Sequence, residues 1–163
     1  MKKPILSIIC AIAENRAIGK DNQLLWHIKK DFQFFKEKTL GHVLLMGQKT
    51  YSSIGKPLPG RTTVVISNDL SFNPEGVVVC RTLEEGISEA IRLEKEEVFI
   101  CGGGSIYAQT IDMADKLYLT LIEGNFEADT FFPDYSEFKN IKEIGSGNEG
   151  RYRFKFLELT KLK

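Results

Sequence analysis

The residues of this chain best suited by type and spacing to chemistry are an aspartate, a Gly-Gly-Gly run and a Gly-Gln-Lys-Thr run. On a helical wheel of about 100° per residue with Ile28 at the origin, Asp31 falls near −60°, between Phe35 near −20° and Phe34 near −120°; Phe32 falls near 40°. Lys29, Lys30, Gln33, Lys36 and Glu37 occupy the opposite arc. Asp31 therefore points into the aromatic arc, where a carboxylate is costly without a partner. Such an acid calls for a group that pairs with it. It can equally be an early-helix acid stabilised by the helix dipole. Lys38, near −80° on the same wheel, is expected to be solvated.

Gly102-Gly103-Gly104 follows a β-rich segment and precedes a helical one. Consecutive glycines let backbone N–H groups approach an anion such as a pyrophosphate, and a helix start favours negative charge. The run lacks the G-x-G-x-x-G spacing of the dinucleotide fingerprint, so a tight strand-to-helix turn is an open alternative. Gly47-Gln48-Lys49-Thr50 sits at a similar junction. It lacks the adjacent Gly-Lys-Ser/Thr of a phosphate loop, which argues against a nucleotide kinase. Two phosphate-friendly helix starts suit an extended ligand with several phosphates, or are two ordinary turns. Trp26, the single tryptophan, precedes the Asp31 helix and reads as a core anchor or a site residue.

These groups need elements to hold them. Ile5–Ala13 is apolar and β-branched, the pattern of a strand buried on both faces. Lys2 and Lys3 before it mimic a short leader, but the run is too short and too β-rich for one. Glu14–Leu25 reads as a polar loop, Ile28–Leu40 as a helix ending at Gly41, and Val43–Met46 as a strand. Lys49–Ile54 is a short helix, Pro57-Leu58-Pro59-Gly60 a rigid turn, and Thr62–Ser67 and Val77–Cys80 are strands. Leu83–Leu93 is a helix opened by a Thr82/Glu85 capping box. Val98–Cys101 is a strand, a helix follows through about Ile111, and Lys116–Ile122 alternates as a strand. Ile141–Ile144 and Tyr152–Leu159 form an antiparallel hairpin around Gly145–Gly150. The strand–helix alternation predicts one α/β domain over 1–163: a mixed, mostly parallel sheet with helices on both faces. Ligands of such sheets bind at the carboxyl ends of the strands, which carry Ala11, Gly47, Ser67 and Cys101.

Composition supports an ordinary globular chain. Of 163 residues, 42% are apolar and 27% charged, with 22 basic and 22 acidic side chains and a net charge of 0. That balance argues against nucleic-acid binding by bulk charge. No apolar run reaches the ~18 residues of a membrane helix. Cys10, Cys80 and Cys101 are odd in number and far apart, which predicts buried thiols in a reducing compartment, and with only His27 and His42 no zinc site is credible.

Ala17-Ile18-Gly19, Leu24-Leu25-Trp26, Asp31-Phe32-Gln33-Phe34-Phe35-Lys36, Met46–Gly55, Pro57-Leu58-Pro59-Gly60-Arg61, Cys101–Tyr107, Leu117-Tyr118-Leu119-Thr120 and Asp129-Thr130-Phe131-Phe132-Pro133 follow one another along the chain. Together, in this order and spacing, they resemble bacterial dihydrofolate reductases over essentially the whole length. The resemblance implies an eight-stranded mixed sheet with about four helices and NADPH-dependent reduction of 7,8-dihydrofolate to tetrahydrofolate. It also implies a cytoplasmic monomer that binds antifolates, with no nucleic-acid, membrane or metal partner.

By that resemblance, Asp31 receives the pterin 2-amino and N3 donors, Thr120 supports it and Trp26 holds an ordered water. Ile9, Cys10, Ala11, Phe32, Phe35 and Cys101 wall the pterin and nicotinamide. Ser53 and Ile54 line the aminobenzoyl channel, and Arg61 pairs with the tail carboxylate. Gly103, Gly104, Ser105, Ile106 and Tyr107 hold the pyrophosphate at one helix start, and Gly47, Lys49 and Thr50 at the other. Gln48, Lys49, Ile66, Ser67, Asn68 and Arg81 lie toward the 2′-phosphate. Ile18, Gly19 and Asn22 touch the nicotinamide side from a lid over Glu14–Leu25.

Three features depart from the family pattern. Gln48 stands where many relatives have arginine, Leu25 replaces a proline, and Ile28-Lys29-Lys30 replaces a Leu-Pro pattern. Two other functions fit parts of the pattern: a same-fold reductase of a ribosylated aminopyrimidine, and a nucleotide-binding module without catalysis. Neither has a use for an inward acid beside an aromatic wall.

Overall fold

A computed structural model describes residues 3–21 and 23–162. Its centre is an eight-stranded sheet in the order β10-β11-β8-β1-β7-β4-β5-β6. The strands are β1 (Ile5–Ala13), β4 (Val43–Gly47), β5 (Thr62–Ile66), β6 (Val78–Cys80), β7 (Glu97–Ile100), β8 (Lys116–Ile122), β10 (Asn140–Glu149) and β11 (Tyr152–Thr160). β1 pairs in parallel with β7 and β8, and β4, β5 and β6 extend the parallel run. β11 returns antiparallel against β8 and carries β10 outside it.

Period-two alternation sends neighbouring side chains to opposite faces. Ile8, Leu45, Val64 and Ile100 pack on one face with Ala90 and Ile106 of α3 (Leu83–Leu93) and α4 (Gly104–Thr110). Ile9, Leu44, Val65 and Phe99 pack on the other with Phe34, Phe35 and Tyr51 of α1 (Lys29–Thr39) and α2 (Gln48–Ile54). The predicted helices on both faces are present.

Several expectations need correction. The polar stretch Glu14–Leu25 is not simply a loop: β2 (Ala17–Lys20) and β3 (Gln23–Leu24) join β9 (Thr130–Phe131) in a second, three-stranded sheet. These strands are too short to show a period, and β9 lies more than a hundred residues away in the chain. Gly145–Gly150 does not interrupt the tail hairpin. β10 runs on to Glu149 after a register shift between Glu143 and Gly145. A Cβ on Gly145 would lie 3.1 Å from Phe156 Cδ2, and one on Gly147 2.9 Å from Phe154 Cζ, so these glycines make room for aromatic rings. β8 does not alternate, because Leu117 to Thr120 are all buried. In the capping box, Thr82 Oγ1 accepts Glu85 N–H at 3.1 Å, but Glu85 accepts from Arg81 N–H, not from Thr82. Only Cys80 is buried; Cys10 and Cys101 are half-buried.

Candidate active site

α1 brings Asp31 to β8. Asp31 is its third residue and is half-buried. On β8, Leu117 and Leu119 face α3 and α4, so Tyr118 and Thr120 face the α1 side. Thr120 donates its hydroxyl to Asp31 Oδ1 at 2.6 Å. Burial raises the Asp31 carboxyl above its ordinary range, and the Thr120 hydrogen bond opposes part of that rise. Thr120 stands opposite Ala11 of β1 and Phe156 of β11. Phe34 stacks on Phe156 with ring centroids 4.3 Å apart. Lys38, expected in solvent, is half-buried with Nζ 5.1 Å from the Tyr118 ring centroid, a cation–π contact.

Ile9, Phe35, Ile54 and Cys101 meet in one apolar cluster beside this acid. Phe32 is 47% exposed and belongs to none of the buried clusters. Ser53 is also exposed, its hydroxyl turned back to Lys49 O at 3.1 Å. Trp26 is buried beside Ala11 and Phe156, and its Nε1 has no hydrogen-bond partner among the described residues. Burial pushes the Cys10 thiol up to about 12 and the Cys101 thiol higher still. At the far end of α1, Arg61 Nη1 donates to Thr39 Oγ1 at 3.3 Å and Nε to Pro59 O at 3.0 Å. Among the described residues no carboxylate pairs with Arg61.

The two glycine-bearing turns adjoin. Gly47 N–H donates to Gly102 O at 2.9 Å. The Gly102–Gly103 peptide is cis, a feature without a signal in the residue pattern. A Cβ on Gly103 would lie 3.4 Å from Thr50 Oγ1, and one on Gly104 2.7 Å from Thr130 Cγ2. The starts of α2 and α4 thus face one another across bare backbone, and β9 closes on the second. Ile106 and Ile18 are buried, and Ser105 is exposed. Tyr107 is buried with its hydroxyl donated to Ile9 O at 2.9 Å, so it acts as a strut between α4 and β1 and offers no surface to a ligand.

Beyond β5, Ser67 is buried and its hydroxyl is already engaged: it donates to Gln48 Oε1 and accepts Asp69 N–H. Arg81 Nη1 donates to Asp69 O at 2.6 Å and holds the 67–72 loop. Ile66 is half-buried, and Lys49 and Asn68 are exposed. Asn22 lies outside the described residues. The segment around Ile18 and Gly19 is strapped to the β9 region: Asp129 N–H donates to Gly19 O at 3.0 Å, and Asp129 Oδ2 accepts Asp21 N–H at 2.9 Å. Asp129 is the strap that the residue pattern did not single out for this task; Gly19 and Asp21 lie 110 and 108 positions away from it.

The family model described as dihydrofolate reductase matches residues 5–161. The chain belongs to the dihydrofolate reductase family. It is 45% identical over 146 residues to the dihydrofolate reductase of Staphylococcus aureus, covering 90% of this chain and 87% of that one. It is 45% identical over 131 residues to dihydrofolate reductase type 3 of Salmonella typhimurium, covering 80% of each. The solved dihydrofolate reductase of Enterococcus faecalis complexed with NADP(H) and RAB-propyl superposes with a TM-score of 0.84 at 33% identity, over 98% of this chain and 97% of that one. The chain is therefore an enzyme, an oxidoreductase of this family. Among the described residues no group of three or more metal-ligating side chains converges, and no helix is long and apolar enough to cross a membrane.

Proposed function

We propose that this enzyme reduces 7,8-dihydrofolate to 5,6,7,8-tetrahydrofolate, with Asp31 gripping the donor edge of the pterin. The observation that carries this reading is the Asp31–Thr120 pair at the carboxyl end of the sheet, beside an apolar cluster and two bare helix starts. NADPH is the cofactor, and when bound it supplies a hydride to pterin C6. The backbone at Gly103 fits a pyrophosphate, because a side chain there would fill the space toward Thr50, and Gly104 keeps the start of α4 bare where a Cβ would strike Thr130. Gly47, Lys49, Thr50 and Ser105 complete this part of the binding surface. Gln48, Ile66, Asn68 and Arg81 border the 2′-phosphate end.

Each protein group has a defined task. Asp31 accepts hydrogen bonds from the pterin 2-amino and N3 groups, which compensates the burial of its charge. Thr120 fixes which way that carboxylate faces. Ile9, Cys10, Ala11, Phe32, Phe35 and Cys101 exclude water and hold the ring at reacting distance. The unpartnered Nε1 of Trp26 is a donor for a water that relays a proton toward N5, whose protonation the Asp31 charge favours. Ile54 and Ser53 border the aminobenzoyl group. Arg61, oriented by Thr39 and Pro59, has a planar fork left for the tail carboxylate. The β2–β3 segment with Ile18 and Gly19 covers the reacting faces.

An absorbance assay with dihydrofolate and NADPH, set beside NADH, tests the reading. Turnover of dihydrofolate is expected. Turnover only of a ribosylated aminopyrimidine, or cofactor binding without turnover, would replace it.

A further inference from the structure

Helix α1 carries Asp31 but lacks a cap of its own. Ile28 occupies the N-cap position and has no side-chain acceptor. The leading N–H groups of a helix have no partners inside it and must find them elsewhere. Here two of them find a carboxylate from the opposite end of the chain. Glu149, the last residue of β10, accepts Lys29 N–H on Oε2 at 2.8 Å and Lys30 N–H on Oε1 at 3.4 Å. The next N–H, that of Asp31, turns back to Ile28 O at 3.1 Å. The same hairpin packs against the helix start, since a Cβ on Gly147 would sit 3.3 Å from Lys30 Cδ and 2.9 Å from Phe154 Cζ. A negative charge at a helix start is also electrostatically favourable.

We propose that Glu149 is a positioning residue for Asp31. Its carboxylate clamps the first turn of α1 and so sets the depth and rotation at which Asp31 meets Thr120. A proline at position 29 would have no N–H to clamp; Lys29 supplies the donor that makes the stronger of the two bonds. The inference rests on the role proposed for Asp31.

Hydride-transfer rates across pH, with KM for dihydrofolate and for NADPH, test it in the full chain. Glu149→Ala is expected to slow transfer about fivefold, the equivalent of one lost helix cap, and to displace the pH midpoint of the rate. KM for NADPH should stay within about twofold, since any larger change would be a general loss of structure. Glu149→Asp, which keeps the charge but withdraws the oxygens, should behave like Glu149→Ala. Glu149→Gln keeps an acceptor in place and should restore most of the rate. Ile28, at φ −105 and ψ 115, already has the extended conformation required before proline, so Lys29→Pro is compatible with the fold. In that background Glu149→Ala should lose most of its effect. A wild-type rate and pH profile for Glu149→Ala, or an undiminished effect in the Lys29→Pro background, would overturn the proposal. Asp31→Asn separates the two ideas: normal turnover there removes the role of Asp31, whereas its collapse alongside an unaffected Glu149→Ala removes only the clamp.

Discussion

Thr120 and Asp31, 89 positions apart, share a 2.6 Å hydrogen bond in which the hydroxyl donates and the carboxylate accepts. This bond lowers the carboxyl while burial raises it, so removing it leaves burial unopposed. Thr120→Val is therefore expected to move the Asp31-dependent midpoint of kcat/KM to higher pH. A pH–rate profile checks this; an unmoved or lowered midpoint would refute the coupling.

Asp31→Asn should cost at least about a hundredfold in hydride transfer at neutral pH, the range of a lost proton-handling group, with NADPH affinity nearly unchanged. The same change should stabilise the ligand-free chain. Because burial raises the folded Asp31 above the ordinary 3.8, the fold favours the neutral form. That contribution is complete well below the ordinary 3.8 and is lost as pH rises through the folded value. A permanently neutral asparagine escapes the loss, so a gain in stability is expected at pH 7 and none near pH 3. Denaturant unfolding at the two pH values measures it, and a loss of stability at pH 7 would contradict the sign.

Cys10, though only half-buried, should resist alkylation. Raising the thiol from 9.0 to about 12 lowers the thiolate population about a thousandfold, which the greater nucleophilicity of a more basic thiolate offsets only in part. Iodoacetamide at neutral pH should label it between about ten and a hundred times more slowly than a free cysteine. Mass spectrometry of the intact chain over time is the check, and rapid single labelling at Cys10 would show the thiol to be activated.

Gln48 is tied to the 67–69 loop through the Ser67 hydroxyl, which Asp69 N–H also engages. An arginine there would bring a planar cation to the same edge of the proposed cofactor surface. Gln48→Arg is expected to raise the preference for NADPH over NADH about tenfold, the worth of one charged hydrogen bond. Steady-state kinetics with both cofactors decide it. An unchanged ratio would move recognition of the 2′-phosphate to Lys49 or Arg81.

The main elements were legible because each has a local cause. β1 is a β-branched run, α3 ends where its period ends, and Gly55 stops α2 with φ 83, which a glycine adopts without strain. The helical wheel likewise turned Asp31 inward, since the 3.6-residue period is a property of the segment alone. What stayed hidden depends on partners far along the chain. The second sheet pairs Ala17–Lys20 with Thr130–Phe131, Glu149 clamps α1 from the closing hairpin, and Asp129 straps Gly19 and Asp21. The residue pattern told that position 31 would carry an inward acid. Which hydroxyl would meet that acid, and which carboxylate would hold its helix, followed from strand order and register, because hydrogen bonds between distant segments leave no periodic trace in either one.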